Sequence, residues 1–331
     1  IPLRYIPLIS NALFILLLFL FLPFLVLYLK PDFVVTGPET VVGLMSTLLL
    51  PRSVRPKIVL DVRSMPVETV GLLGYVRTYH FDISVRIAGK FFDGMTIITP
   101  MMKKEICAFH IDPKSVGVWT SGVSTTHFNP EKHVAKGIQL KRRFGLDDEF
   151  VILYHGTLSF KRGIIETVDS IASLGSKYSN VVLFLLGSGP ALPDLRRLIQ
   201  KKGIEDRVVI HGPVSYDDVP EYIAMSDMGI VPLPDIPDWR NQCPLNLLEY
   251  LSMRKVVIVT DIPANREIVG ERKCGIYVSS ANPHQIAKAI MYAYDNREAL
   301  EEWGVCGKEI IEEKYDWKRV AEDFESYLTN C

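Results

Sequence analysis

Val151-Ile152-Leu153-Tyr154 runs directly into His155-Gly156-Thr157-Leu158-Ser159-Phe160-Lys161-Arg162-Gly163, and an apolar-periodic stretch follows over 164–174. A short apolar run stopped by a glycine turn reads as a buried strand, and the period after it reads as a helix. The next apolar run, 181–186, ends in Gly187-Ser188-Gly189-Pro190 and opens onto a second helical period over 192–202. Strand, turn and helix repeated in this order demand parallel pairing, because each crossover helix returns the chain to the same end of the sheet. Further strands are expected at 208–211, 228–232, 256–260 and 275–278, with helices at 219–224, 245–253, 262–269 and 283–295. The segment therefore reads as a doubly wound sheet of the Rossmann type.

The residues before it repeat the pattern. Strands are expected at 33–37, 56–63, 94–100 and 116–119, and helices at 40–50, 68–91 and 101–109. Residues 122–137 show no strong period and read as an inter-domain linker, and a helix over 317–328 closes the chain. The expected fold class is α/β, two Rossmann-like doubly wound domains facing a cleft. The first domain takes 1–131, the second 132–314, and a carboxyl-terminal helix over 315–331 crosses back to the first. Ligands in open α/β sheets bind beyond the carboxyl ends of the strands, so function is sought in the loops that follow them.

Composition narrows the choice. The 331 residues carry 37 Lys plus Arg against 38 Asp plus Glu, a net charge of −1, which argues against a nucleic-acid partner. Five cysteines are widely spaced without a CxxC pair, so neither a zinc ribbon nor a disulfide scaffold is expected. HExxH and GxSxG are both missing from the sequence. One segment departs from the globular average. Residues 12–29 are apolar throughout, contain Pro23 and lie between Arg4 and Lys30. The run is near the lower end of the ~17–25 residues that cross a bilayer. It reads as a span, as a helix dipping into the membrane surface, or as a helix buried in the first domain.

Three loops could carry chemistry. A glycine turn entering a helix binds anions, and Lys161 and Arg162 add two charges suited to a diphosphate; the bland alternative is a solvated basic pair. The Gly187-Ser188-Gly189 turn reads as a tight turn before it reads as a dinucleotide loop. The richest stretch is Asn241-Gln242-Cys243-Pro244-Leu245-Asn246-Leu247-Leu248-Glu249-Tyr250-Leu251. Pro244 is expected as the first helical residue, leaving the amides of Leu245 and Asn246 for a phosphate. Glu249, a turn further in, is either solvent-facing or a carboxylate for two sugar hydroxyls. Cys243 has no apparent partner base, and Asp217-Asp218 reads as a helix start, not as a metal pair.

In order along the chain, these motifs resemble family-four retaining glycosyltransferases (glycosyl transferases group 1) of the GT-B fold. Tyr154-His155-Gly156 to Lys161-Arg162-Gly163 is similar to that family's phosphate loop, and Leu186-Gly187-Ser188-Gly189-Pro190 to its Gly-Pro turn. Val208 to Val214 is similar to the strand before its nucleobase loop. Ser226-Asp227-Met228, Leu248-Glu249-Tyr250 and Glu267-Ile268-Val269 complete the series. Thr120-Ser121-Gly122 stands where the family ends its first domain, and Tyr315-Asp316-Trp317 opens its crossing helix.

The resemblance implies transfer of a sugar from a UDP or GDP sugar to an acceptor, with retention; because no carboxylate pair stands at a fitting strand end and Lys161 and Arg162 supply fixed cations, neither metal nor other cofactor is expected. It implies donor contacts from Gly156, Val214, Pro244, Leu245, Asn246 and Glu249, and leaving-group or catalytic roles for Arg162, Lys161 and Asn241. Three departures stand out. Asn241 occupies the first position of the family's Glu-x7-Glu pair, Thr157 replaces a basic residue, and Asp61 and Arg63 stand where a histidine is often found. The first domain is expected to lack its amino-terminal strands. A nucleotide-sugar epimerase and a non-catalytic nucleotide-sugar-binding subunit are the alternatives. The apolar run suggests a lipid-linked or envelope-glycan acceptor in polysaccharide biosynthesis, reached from the cytoplasmic face of the cell membrane.

Overall fold

The computed structural model describes residues 7–67 and 71–331. Arg4 and the expected helix start at 68–70 lie outside the described residues. The chain divides into two compact units, Ile1–Thr120 with Glu322–Cys331, and Ser121–Ala321.

In the first unit, β1 (Phe33–Thr36), β2 (Lys57–Val62), β3 (Gly94–Ile97) and β4 (Val116–Val118) form a parallel sheet in sequential order. This corresponds to one half of a doubly wound order. In the second unit, β5 (Phe150–His155), β6 (Val181–Leu186), β7 (Val208–His211), β8 (Met228–Val231), β9 (Val257–Thr260) and β10 (Gly275–Val278) pair in parallel as β10-β9-β8-β5-β6-β7. The order reverses between β5 and β8, the switch point at which such sheets open a crevice. Every residue of β5 and β6 is buried, as a central parallel strand covered on both faces requires. Helices Ile164–Ala172, Leu192–Lys202 and Pro283–Asp295 supply much of one cover, packing Ile164, Val168, Leu195, Ile199, Ile286 and Ile290 into one core.

All ten expected strands are present. Helices differ in four places, one of them the short helix Pro237–Arg240, which the sequence does not predict. The stretch expected as one helix over 40–50 breaks into a 3-10 turn Pro38–Thr40, a short helix Val41–Leu44 and a second 3-10 segment Met45–Leu49. Ser46 and Thr47 hydroxyls donate back to the carbonyls of Gly43 (3.1 Å) and Leu44 (2.7 Å), a local competition that shortens helices. The expected linker instead holds the helix Pro130–Arg143, capped by the Asn129 side chain, which accepts from the Glu131 amide at 3.0 Å. A Cβ on Gly137 would stand 2.8 Å from the Ala224 backbone, so this helix lies hard against Val219–Met225. It belongs to the second unit, which starts at Ser121, ahead of residue 132. The helix Leu300–Ile310 also has no counterpart in the sequence reading.

The apolar run is the helix Pro7–Leu29. Leu22 and Val26 are buried with Leu44 and Ile58, but Phe14, Leu16, Leu20, Phe21, Phe24, Leu25 and Leu29 are exposed. Its stretch Ser10–Leu29 is long and apolar enough to cross a membrane, with a mean hydropathy of 2.9 and 6% buried.

The helix Trp317–Asn330 starts in the second unit, and its last residues are part of the first. There the Tyr327 hydroxyl accepts from the Met95 amide (3.0 Å) and donates to the Ser115 carbonyl (2.7 Å). Gly94 and Gly117 leave room for its ring, and Phe324 stacks on Trp119 at 4.1 Å.

Candidate functional site

Three loops meet beyond the carboxyl ends of β5, β6 and β7. They line a pocket of about 290 Å³ with His155, Gly156, Thr157, Leu186, Gly187, Ser188, Pro213, Val214 and Val219. Glycine builds it. Gly156 (φ +132°) and Gly187 (φ +147°) adopt backbone conformations that side chains disfavour, and a Cβ on Gly187 would strike the Gly156 carbonyl oxygen. The loops are tied by backbone bonds from the Gly156 amide to Leu186 (3.0 Å), Gly187 to His211 (3.0 Å) and Leu158 to Ser188 (2.9 Å). The Gly187 turn is thus the tight turn the sequence suggested, and it also forms a pocket wall.

Behind the pocket lies the helix Leu245–Ser252. Pro244 is its N-cap, not its first helical residue. The reason is its ψ of 108°, which keeps it extended, so the helix begins at Leu245. The first amides of a helix have no intrahelical acceptor. The earliest one paired in the turn is Leu247, which reaches the Pro244 carbonyl at 3.1 Å. Asn246 faces inward, its Nδ2 donating to the His155 carbonyl at 3.3 Å.

Glu249 is buried, 8% exposed, and its Oε2 stands 3.4 Å from His155 Nε2. The Tyr216 hydroxyl hydrogen-bonds its carboxyl. The solvent-facing alternative for Glu249 is therefore wrong. Burial pushes its carboxyl up to about 8, against the lowering effect of the Tyr216 bond. Burial also pulls the His155 imidazole down to about 3, so at neutral pH the contact joins a neutral ring to a protonated acid and is not an ion pair. Tyr250 underlies both. Its hydroxyl donates to the Leu153 carbonyl (2.7 Å), accepts from the His155 amide (3.2 Å), and its ring meets the imidazole edge-on at 4.8 Å.

The expected cations gather elsewhere in the same unit. Lys161 Nζ lies 3.2 Å from Asp238, so its charge is already neutralised. The Arg162 guanidinium sits 4.6 Å over the Trp239 ring, and Trp239 Nε1 donates to the Lys161 carbonyl at 2.7 Å. Asn241, buried, ends the same short helix Pro237–Arg240. Gly156, Val214, Asn246 and Glu249 are thus gathered at or against His155, whereas Lys161, Arg162 and Asn241 cluster at or next to Trp239. Neither Lys161 nor Arg162 lines the pocket.

In the first unit, Asp61 accepts from Thr96 Oγ1 and Trp119 Nε1, both at 2.9 Å. Arg63 stacks on Trp119 at 4.2 Å and donates to its carbonyl at 3.1 Å, which makes both residues scaffold. Among the described residues, no group of three His, Cys, Asp or Glu could hold a metal ion. The sequence reading passed over His155, Tyr216 and Ser188. A histidine closing an otherwise apolar strand just before a glycine turn was a legible signal for the first; nothing marked Tyr216.

The family model for glycosyl transferases group 1 matches residues 138–310, half of the chain and nearly all of the second unit. The chain belongs to this family. It is 26% identical over 179 residues to the alpha-D-kanosaminyltransferase of Streptomyces kanamyceticus, covering 54% of this chain and 45% of that protein. It is 22% identical over 238 residues to the GDP-mannose-dependent alpha-(1-6)-phosphatidylinositol monomannoside mannosyltransferase of Mycobacterium tuberculosis, covering 71% of this chain and 61% of that one. This glycosyl transferases group 1 chain thus spans about half the length of the curated relatives it matches. Among solved structures, Anabaena HepE in complex with UDP superposes with a TM-score of 0.76 at 16% identity, over 91% of this chain and 79% of that one. The fold is therefore GT-B.

Proposed function

We propose that the protein is a retaining glycosyltransferase that takes a sugar from a nucleoside-diphosphate donor, without a metal, and passes it to a lipid-linked or envelope-glycan acceptor. The observation that carries the reading is the pocket at the ends of β5, β6 and β7, with a buried carboxyl, Glu249, against its wall. Val214 and Pro213 offer an apolar wall for a base. Glu249 takes the ribose hydroxyls. The Gly156 and Gly187 turns let a diphosphate approach the backbone, and the Leu245 and Asn246 amides point their dipole at it.

Leaving of a nucleoside diphosphate builds negative charge in the transition state, and fixed donors offset it. Arg162 is the cation for this task. Its stacking on Trp239 holds the guanidinium in place, whereas Lys161 serves by bracing the loop through Asp238. Asn241, beside the same tryptophan, offers an amide to the sugar. With the charge met by Arg162 and helix amides, transfer proceeds without a divalent ion.

The membrane part of the reading rests on the exposed apolar face of Pro7–Leu29 and on Leu72, Leu73, Tyr75, Val76 and Tyr79, exposed at the start of the helix Gly71–Phe91. The mycobacterial relative, by its name, acts on a phosphatidylinositol mannoside. Nucleotide sugars are made in the cytosol, so the working surface is the cytoplasmic face. The test is a donor screen with UDP and GDP sugars, with and without polyprenyl-phosphate-linked glycans. Nucleotide release that requires acceptor, with the anomeric configuration kept, is the expected result. Donor conversion without acceptor, or binding without turnover, would replace the transferase reading by an epimerase or a binding subunit.

A further inference from the structure

We propose that His155 and Tyr216 are positioning residues for Glu249, fixing its carboxylate from two sides so that its remaining acceptor sites meet the vicinal diol of the donor ribose. The inference rests on the ribose reading above and adds which groups orient the ligand. Burial keeps the carboxyl protonated in the empty protein; in the donor-bound state it is ionised, and a carboxylate offers about four acceptor sites. Tyr216 already occupies one. His155 Nε2, buried and without a hydrogen-bonding partner, stands 3.4 Å from Oε2, in range but not aligned. A bond from each leaves two sites, and a ribose diol supplies two donors.

Both residues are held where this role needs them. His155 ends β5, with its amide on the Tyr250 hydroxyl and its carbonyl under Asn246 Nδ2. The Tyr216 ring is stacked on His127 at 5.3 Å and met edge-on by Phe128 at 5.5 Å. Neither hydrogen bond nor ring contact leaves the phenol to swing. His155 stays neutral in this burial and so carries one N–H that can donate, with no second buried charge beside the acid. A histidine that only filled space at the end of an apolar strand would have no reason to aim a ring nitrogen at the one buried carboxyl of the helix behind it.

The full chain is titrated calorimetrically with UDP, GDP and ADP, and the tightest is compared with its 2′,3′-dideoxy counterpart. The wild type is expected to prefer the ribonucleotide, and Glu249→Ala to erase the preference. His155→Phe and Tyr216→Phe are each expected to lose about five-fold of that preference while binding the 2′,3′-dideoxy ligand, which has no diol, as the wild type does. His155→Gln, which keeps an N–H, is expected to recover it in part. If both Phe variants keep the wild-type preference while Glu249→Ala loses it, the positioning role falls and the ribose reading stands. If they weaken the 2′,3′-dideoxy ligand as much as the ribonucleotide, the residues only shape the pocket, and the proposal falls again. If Glu249→Ala keeps the preference, the ribose reading itself fails.

Discussion

Glu249 shows how burial converts a common side chain into a pH-sensitive one. Its carboxyl is held up at about 8 because it is buried from water, and Tyr216 recovers only part of the cost. The folded state therefore keeps a proton that an unfolded chain, with an ordinary carboxyl near 4.5, gives up. A raised acid stabilises fully below the unfolded value and loses that contribution as pH climbs toward 8. The empty protein should thus lose stability across this window, and Glu249→Gln should flatten the loss; parallel melting curves at pH 5 and pH 8 check it. His155 runs the other way, its contribution fading as pH falls from 6.5 toward 3. Arg162→Ala isolates charge at the leaving group. Loss of one such donor costs about 3 kcal/mol of transition-state stabilisation, so kcat/KM should fall roughly 100-fold with little change in melting temperature. Steady-state kinetics with the identified donor decides, and an unchanged kcat/KM removes Arg162 from the mechanism. The glycine turn before Arg162 and the helix that carries Glu249 were legible as local structure. Their separation into two clusters was not, because Trp239 and Tyr216 set it from segments with no local signal.

At the scale of elements, strands were easier to read than helices for a physical reason. A parallel strand covered on both faces is a solid apolar block between turns, and β5, β6, β8 and β9, buried throughout, are such blocks. Pro130–Arg143 escaped because its exposed face is highly charged and its one buried residue is Gly137, a residue type that usually breaks helices. Turns carry their own test. Gly145 and Gly163 share a left-handed backbone, φ +68° and +69°, but a Cβ on Gly145 meets nothing within 4 Å, whereas on Gly163 it collides with the Pro232 carbonyl. Gly145→Ala should cost about 1 kcal/mol, the backbone strain alone, and Gly163→Ala clearly more. Urea midpoints of the two variants measure the difference. The apolar helix Pro7–Leu29 splits the same way. Phe21→Ser with Phe24→Ser, both exposed, should leave folding intact and abolish co-flotation with anionic vesicles. Leu22→Ser with Val26→Ser, both buried, should unfold the first unit. Vesicle binding that survives the Phe changes would locate the membrane contact elsewhere.

For the whole molecule, the α/β class and the family were readable from order alone: six loose motifs in sequence constrain more than any one of them. The acceptor was not readable, since no pattern of residue types in the first unit marks it. Activity should persist in excess chelator, because Arg162 and the helix amides are fixed charges that need no ion; loss of turnover restored by magnesium or manganese would reverse this. The path of the final helix has a consequence for how the chain is made. Glu322–Cys331 belong to the first unit, and Tyr327 joins the Met95 amide to the Ser115 carbonyl across the ends of β3 and β4. A ribosome emits residues in order, and domains tend to fold as they emerge. Here the earlier half must wait, open along that edge and with an apolar helix already out, until all of the later half has been synthesised. The second unit is contiguous and can close on its own, so the vulnerable period belongs to the half that leaves the ribosome first.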